Sequence, residues 1–205
     1  MPVLRGLGTT MKALALMILG IGLCFVPGAA RAAEHFDIEA VTYADDAAAG
    51  AAWAPQFGSD PAALAPEKTP DGKPALAFRC DMAQLGERGC WDRAVALNLS
   101  RFGRFAFWVK VEGDRTAVSH ANLYFNAGEG WYGTSFPLPS SGWRRVVLDR
   151  GSFRTEDKPE VWNALKIIRI SFWKGQPRRT TVYFGGMEAV AADVVIVRDP
   201  GSKDS

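Results

Sequence analysis

Histidine and cysteine are scarce in this chain, and no residue cluster of a known catalytic type is present. The 205 residues include 2 histidines, His35 and His120, which stand far apart in the sequence, and 3 cysteines. There is no His-Glu-x-x-His motif, no nucleophile elbow and no phosphate-binding glycine loop ahead of a helix. Because hydrolysis needs a positioned acid and base and a metal centre needs clustered ligands, the sequence predicts a protein that is not an enzyme.

A block of basic charge is also missing. Of the 24 lysines and arginines, 3 precede residue 33, whereas all 22 aspartates and glutamates follow it, so residues 33–205 carry 21 basic and 22 acidic side chains and a net charge of −1. Nucleic-acid binding requires a concentrated positive surface. The sequence therefore predicts no nucleic-acid partner.

The longest apolar run, residues 13–26, is too short for a membrane span, which needs about 20 apolar residues. Arg5 and Lys12 precede the run, and the small-residue pattern Ala30-Arg31-Ala32 follows it. This order is typical of a secretory signal peptide, here residues 1–32, with cleavage before Ala33. We therefore expect a periplasmic or secreted protein whose mature chain has no stable membrane span.

Two of the three cysteines, Cys80 and Cys90, lie beyond the predicted cleavage point. In an oxidising compartment they are predicted to form a disulfide, and closing a loop of about ten residues would stabilise the fold by about 2–3 kcal/mol. Two buried free thiols are the alternative. The third, Cys24, would be the acceptor in a lipoprotein, although Leu23 stands where that pattern has a small residue.

Apolar and polar residues alternate in short segments separated by Gly and Pro turns, which is typical of β-strands with one buried side. The side chains predicted to face the core are Leu76, Phe78, Cys80, Val95, Leu97, Leu99, Phe105, Phe107, Val109, Val111, Leu123, Phe125, Val146, Leu148, Ile168, Ile170, Phe172, Val182 and Phe184. Strands at residues 38–43 and 193–197 bring the total to about nine or ten, which predicts an all-β, two-sheet jelly-roll β-sandwich. The predicted domain covers residues 33–198, and residues 199–205 form a polar C-terminal tail.

Two stretches depart from the strand pattern. Residues 44–72 are rich in Ala, Pro, Gly and Asp, and we expect a long loop with one helical turn near residues 47–53. Residues 156–165 place Val161, Trp162 and Leu165 at helical spacing after Pro159, which predicts one short helix at the end of the sandwich.

Several motifs rich in aromatic residues follow one another in a recognisable order. They are Cys80, Glu87-Arg88-Gly89-Cys90-Trp91-Asp92, Leu97-Asn98-Leu99-Ser100, Leu123-Tyr124-Phe125-Asn126-Ala127-Gly128-Glu129-Gly130-Trp131-Tyr132, Gly142-Trp143, Trp162 and Ile168-Arg169-Ile170-Ser171-Phe172-Trp173-Lys174-Gly175. In this order the chain resembles the galactose-binding-like jelly rolls, of the carbohydrate-binding-module type found beside bacterial glycoside hydrolases. The resemblance covers residues 38–197 and implies a non-catalytic module with an oligosaccharide or polysaccharide ligand.

The polar side of the alternating strands carries flat rings together with amide and guanidinium groups. Rings stack on the apolar faces of sugars, and Asn and Arg bond to their hydroxyl edges. The predicted sugar-contact set is Tyr124, Asn126, Trp131, Tyr132, Arg169 and Trp173.

Other interpretations of these residues stay open. The rings would instead form a second small core if the loop at residues 44–72 or the predicted helix covered them, and Arg169 would then pair with Asp92 or Glu129. An aromatic face would also serve an envelope protein that docks a protein partner. No cofactor is predicted, although Asp37, Glu39 and Glu188 would suit a structural calcium as well as they suit plain surface carboxylates.

Overall fold

The computed structural model describes residues 35–191, which form an antiparallel β-sandwich with one short α-helix. The helix α1 spans Asp46–Ala52, and two 3-10 turns span Arg115–Ala117 and Arg150–Ser152. The strands are β1 (His35–Glu39), β2 (Ala54–Gln56), β3 (Ala63–Leu64), β4 (Ala75–Asp81), β5 (Arg88–Leu97), β6 (Phe102–Gly113), β7 (Val118–Ala127), β8 (Gly130–Phe136), β9 (Trp143–Asp149), β10 (Arg154–Glu156), β11 (Leu165–Lys174) and β12 (Arg179–Ala191). The all-β sandwich predicted from the alternation is confirmed.

The strands divide into two six-stranded sheets. Sheet A has the order β3-β4-β12-β6-β9, with β1 paired to the second half of β12, and sheet B has the order β10-β8-β7-β11-β5-β2. All the strand pairs are antiparallel, and most neighbours in a sheet are distant in sequence. This arrangement brings together residues that sequence reasoning could not pair.

The core lies between the two sheets, where the predicted period of two places it. Sixteen of the predicted core side chains are buried, and Val95, Leu97 and Val111 are partly buried against them. Tryptophan and phenylalanine rings fill the centre, with Phe78 in contact with Trp91 at 4.8 Å and Phe107 stacked on Phe184 at 4.8 Å between ring centroids. Full burial of each such side chain contributes about 1.5–3 kcal/mol.

The disulfide prediction is wrong, because Cys80 and Cys90 are both free and buried. Cys80 belongs to the core between the sheets. In β5, Trp91 also faces the core, so the alternation turns its neighbour Cys90 to the outer side of sheet B, where Ser171 donates a hydrogen bond to its sulfur at 3.4 Å. Burial raises the pKa of both thiols, which keeps them protonated.

The helix predicted at residues 156–165 is absent. The end of β10 and a turn occupy these residues, Pro159 bridges to Gly128, and the Glu160 N–H donates to the Ala127 carbonyl at 2.9 Å. Val161 is 64% exposed, so the apparent helical spacing did not mark a buried face. Trp162 still packs on the core, stacked on Phe105 at 5.6 Å.

The helical turn predicted near residues 47–53 is confirmed as α1, whose N-cap Asp45 accepts a hydrogen bond from the Ala48 N–H at 2.8 Å. The first strand ends at Glu39, earlier than predicted, because Val41 has a positive φ of 51° that interrupts extended backbone. The predicted strand at residues 193–197, the signal peptide and the C-terminal tail from residue 199 lie outside the described residues.

Glu39 fixes the first strand to the rest of the fold. Its buried carboxylate accepts hydrogen bonds from the Val41 N–H at 2.7 Å, the Tyr43 hydroxyl at 2.7 Å and Trp53 Nε1 at 2.9 Å. It also pairs with Arg93 of β5, 3.2 Å from Nε. One carboxylate thus connects β1 of sheet A, the segment around α1, and sheet B.

Candidate functional site

The outward-facing polar and aromatic residues separate onto two opposite faces of the sandwich. Sheet A carries Arg79, Trp108, Lys110, Arg145 and Tyr183, and sheet B carries Tyr124, Asn126, Arg169, Ser171 and Trp173. Five of the six predicted contact residues therefore share the outer face of sheet B, because Trp131 of β8 lies opposite Asn126 on that face.

Tyr132 does not belong to this face. It follows Trp131 in β8, so its ring points to the other side, where it stacks on Trp162 at 4.4 Å and packs against the core. Its hydroxyl donates to the Glu160 carbonyl at 2.7 Å. Tyr132 therefore helps to close the end of the sandwich and is removed from the predicted contact set.

One ridge on the outer face of sheet B is formed by Trp131, Tyr124 and Arg169. The Arg169 guanidinium lies 4.3 Å from the centre of the Trp131 ring, and Tyr124 meets that ring edge-on at 6.3 Å. Asp92 holds Arg169 through two hydrogen bonds of 2.6 and 2.7 Å, which raises the pKa of the guanidinium above its ordinary value. We call this set the Trp131 ridge.

Within this ridge only Trp131 presents a partly exposed ring. Tyr124 is 7% exposed, and its ring lies over Gly133, where an added Cβ would approach it to 2.6 Å. Asn126 donates to the Gly130 carbonyl at 3.0 Å and so closes the turn between β7 and β8. Tyr124, Asn126 and Arg169 thus support the Trp131 ring more than they face solvent themselves.

A second ridge crosses the sheet at the other end of the same strands. The Arg88 guanidinium lies 4.5 Å from the ring centre of Trp173 and 4.6 Å from that of Phe57, and His120 stacks on Trp173 at 5.4 Å with 10° between the ring planes. These four residues come from β5, β11, the turn after β2, and β7. We call them the Trp173 ridge.

Only Trp173 of this ridge was predicted from the sequence. Arg88 and His120 flank it because they are its register partners on β5 and β7. Phe57 follows β2, which pairs with β5 at the edge of the sheet. Without the pairing, the sequence indicates no relation among residues 57, 88, 120 and 173.

Small and polar residues form the floor between the two ridges. Cys90 and Ser171 are fully buried there, and Asn122 lies beside them on β7. Arg169 precedes Trp173 by four residues on one strand, which sets the ridges about 13 Å apart. The side chains between the two ridges are smaller than those of the ridges, and we call this strip across β5, β11 and β7 the groove.

Two buried polar atoms in the groove have no hydrogen-bond partner among the described residues, Asn122 Oδ1 and Trp173 Nε1. Burial raises the pKa of Tyr124, and both the Arg88 charge and the nearby Trp173 N–H oppose that rise. The Trp173 N–H therefore has the Tyr124 hydroxyl beside it, whereas Asn122 Oδ1 lacks the partner that buried polar groups normally have. A ligand hydroxyl at Asn122 Oδ1 would supply the missing donor.

The outer face of sheet A is organised differently. Trp108 and Arg145 line a cleft of about 240 Å³ beside the segment of residues 69–73. Trp143 Nε1 and Arg145 Nε are unpartnered on this side too, but Lys110 pairs with Glu67 and Arg145 pairs with Glu188. Internal ion pairs and a covering loop thus take up much of this face.

The calcium considered from the sequence finds little support in these side chains. Asp37, Glu188 and His35 bring ligand atoms within 4.8 Å of one another, whereas Glu39 is occupied by its own hydrogen bonds. Glu188 already pairs with the cation Arg145 and with His35. A neighbouring guanidinium repels a metal ion, so the cluster is better suited to ion pairing.

The fold is a carbohydrate-binding-module-type jelly roll, as the resemblance implied. The family 11 carbohydrate-binding module of a cellulosomal cellulase from Clostridium thermocellum aligns with a TM-score of 0.53 at 11% identity, covering 78% of this chain and 96% of that one. The family 30 module of another cellulosomal cellulase from the same organism aligns with a TM-score of 0.54 at 12% identity, covering 78% and 99%.

Part of a longer enzyme has the same fold. An exo-beta-agarase aligns with a TM-score of 0.54 at 11% identity over 70% of this chain and 23% of that chain. No family model and no curated protein matches the sequence. Identities this low show a shared fold and do not identify the ligand of this chain.

Proposed function

We propose that this protein is an exported, non-catalytic carbohydrate-binding β-sandwich whose ligand lies in the groove of sheet B. The observation that carries the proposal is the pair of partly exposed tryptophans, Trp131 and Trp173, on one face with small and polar residues between them. Pyranose rings have apolar faces that stack on such rings. Their hydroxyls both donate and accept, and a hydroxyl would supply the donor that Asn122 Oδ1 lacks.

The dimensions of the groove favour an oligosaccharide or polysaccharide over a single sugar. The floor crosses β5, β11, β7 and β8, three strand spacings or about 14 Å, and the Trp173 ridge continues outward to Phe57 beyond β5. A ligand in contact with both ridges would also extend over the roughly 13 Å between them. An open, elongated groove therefore suits a chain.

The carboxylates on this face are poorly placed for glycoside hydrolysis. Asp92 lies on β5 and is held by two hydrogen bonds to Arg169, while Glu156 lies on β10 with its carboxylate over Gly133, next to Tyr124. Hydrolysis needs two facing carboxyl groups that are free to act as the acid and as the base or nucleophile. This geometry supports binding without catalysis.

Export is proposed from the leader predicted at residues 1–32, with the mature protein in the periplasm or secreted. No helix within residues 35–191 is long and apolar enough to span a bilayer. Expression in a bacterial host followed by fractionation and N-terminal sequencing tests the proposal. We expect a mature N-terminus at Ala33 outside the cytoplasm; a full-length chain retained in the cytoplasm would contradict it.

Binding is tested by affinity electrophoresis through gels that contain plant, algal or bacterial polysaccharides. We expect retardation in at least one gel, and about a 30-fold loss of affinity for Trp173→Ala, the size of effect typical of a central aromatic contact. The matched control is Trp108→Ala, which removes a half-buried ring from sheet A instead. Retention on no polysaccharide, with one protein partner co-purifying, would replace the proposal with protein docking.

A further inference from the structure

Arg88 and Arg169 lie on the same face but differ in how their charges are balanced. Asp92 neutralises Arg169 through two hydrogen bonds. Arg88 contacts only the two rings of Phe57 and Trp173, and within residues 35–191 no carboxylate lies within ion-pair distance of it. Its neighbour in sequence, Glu87, is exposed and does not pair with it. Arg88 thus brings an uncompensated positive charge to one end of the groove.

The position of Arg88 is set by the rings that flank it. It stands on β5 between β11, which supplies Trp173, and β2, after which Phe57 follows. Contact with two rings limits the side chain to few conformations while leaving N–H donors unused, since aromatic rings accept no ordinary hydrogen bond there. A guanidinium held in this way loses little freedom when it binds an anion.

The surroundings of Phe57 also indicate a ligand. Its side chain is 60% exposed, one of three large hydrophobic side chains exposed in the described chain, and its backbone has a positive φ of 53°. The exposed ring and the positive φ are each unfavourable for the stability of the fold. Both are explained if the ring serves to hold Arg88 and to extend the Trp173 ridge.

The charge of Arg88 acts on the floor of the groove. It lowers the pKa of Tyr124 and of Cys90, and so opposes the increase that burial causes in both. Glu156, on β10 at the other side of the sheet, acts on the pKa of Tyr124 in the opposite direction. The positive potential is therefore confined to the end of the groove at Arg88.

We infer that the groove accepts an acidic polysaccharide and that Arg88, clamped between Phe57 and Trp173, pairs with a carboxylate or sulfate group on a sugar stacked against Trp173. This inference rests on the proposed carbohydrate-binding function and adds the class of ligand. A planar guanidinium can bind either anion through two parallel hydrogen bonds. Carboxylate and sulfate are distinguished by the experiment.

The test compares charged polymers with uncharged counterparts of the same backbone. Affinity electrophoresis and titration calorimetry use polygalacturonate against its methyl ester, and a sulfated galactan against agarose. We expect the charged member of one pair to bind at least about tenfold more tightly at low salt, since hydrogen bonds to charged groups are the strong ones. The pair that shows the preference identifies the anion.

The variants assign that preference to one side chain. Arg88→Gln should abolish the preference, because it lowers the affinity for the charged polymer at least about tenfold more than the affinity for the uncharged one, whereas Trp173→Ala should lower both affinities alike. Arg88→Lys keeps the charge but loses the planar contact with the rings, so it should retain part of the preference. Lys68→Gln makes the same charge change at an exposed position by sheet A and should have no effect.

Each remaining outcome rejects the inference in a recognisable way. Equal binding of charged and uncharged polymers, unchanged by Arg88→Gln, would overturn it and leave the carbohydrate-binding proposal intact. A preference that Lys68→Gln reduces as much as Arg88→Gln would show general charge attraction, which also overturns it. Binding to no polymer of either kind would reject the proposed function itself.

Discussion

Trp131 and Tyr132 are neighbours in sequence with side chains on opposite sides of β8, so their alanine variants separate binding from stability. Trp131 faces the groove, where its contacts are Arg169 at 4.3 Å and the edge of Tyr124 at 6.3 Å. Tyr132 faces the core, stacked on Trp162 at 4.4 Å and bonded to the Glu160 carbonyl at 2.7 Å. We expect Trp131→Ala to lose ligand affinity and Tyr132→Ala to lose stability.

The magnitudes follow from these contacts. Tyr132→Ala removes a ring that is partly buried against the core, together with one aromatic pair and one hydrogen bond. The free energy of unfolding should therefore fall by about 3 kcal/mol. For a domain of this size that lowers Tm by about 6–12 °C. Trp131→Ala removes one cation-π and one edge contact of a partly exposed ring, which should lower the free energy of unfolding by about 1 kcal/mol. It should weaken polysaccharide binding by about 2 kcal/mol, or about 30-fold.

The assay combines thermal unfolding followed by circular dichroism with affinity electrophoresis on the same preparations. Tyr132→Phe is the matched control, because it keeps the ring stacked on Trp162 and removes only the hydroxyl, and it should lose about 1 kcal/mol. If Trp131→Ala binds like the unmodified protein while melting much earlier, the Trp131 ring is a structural cover, and the groove loses one of its walls.

Two further predictions concern the fold. Glu39→Gln should lower the free energy of unfolding in urea by about 3 kcal/mol, because it leaves the partly buried Arg93 without its carboxylate. The control Glu129→Gln, at an exposed turn, should change the free energy of unfolding little. Equal effects of the two variants would refute the structural role of Glu39. Burial, followed by hydrogen bonds to Glu39 and Glu112, raises the pKa of Tyr43 and Tyr183 to about 12. Since these folded-state values exceed the unfolded value near 10, the stability they contribute is complete below about pH 10 and is lost as the pH rises to about 12. A tyrosinate absorbance titration should show the late groups in the folded protein only, and titration of all tyrosines near pH 10 would contradict this.

The period of two predicted the core correctly because it depends only on the side chain's direction along one strand. The same rule, applied with Trp91 facing inward, places Cys90 outward and separates it from Cys80, so the disulfide was excluded by a pattern already visible in the sequence. The oxidising compartment expected for an exported protein favoured a disulfide, but the bond forms only where the fold brings the two sulfurs together.

Strand pairing could not be predicted from the sequence, and the candidate site depends on it. The outward residues Trp108 and Trp173 are equivalent by alternation, yet they lie on opposite sheets. Arg88 gains its two ring contacts because β5 lies between β11 and β2, an order set by the packing of the whole chain. The helix expected at residues 156–165 failed for a similar reason, since backbone bonds to the turn after β7 hold that segment extended.

The two arginines of the groove show why residue type alone cannot assign a binding role. Arg169 was expected to bond to sugar, but Asp92 occupies two of its donors, and its remaining contact is the face of Trp131. Its effect on a ligand therefore passes through the position of that ring. Arg88 has the same chemistry with no acid beside it within the described chain, so its charge remains for a partner. The balance of charge around each guanidinium, rather than the presence of arginine, determines which of them a ligand can use.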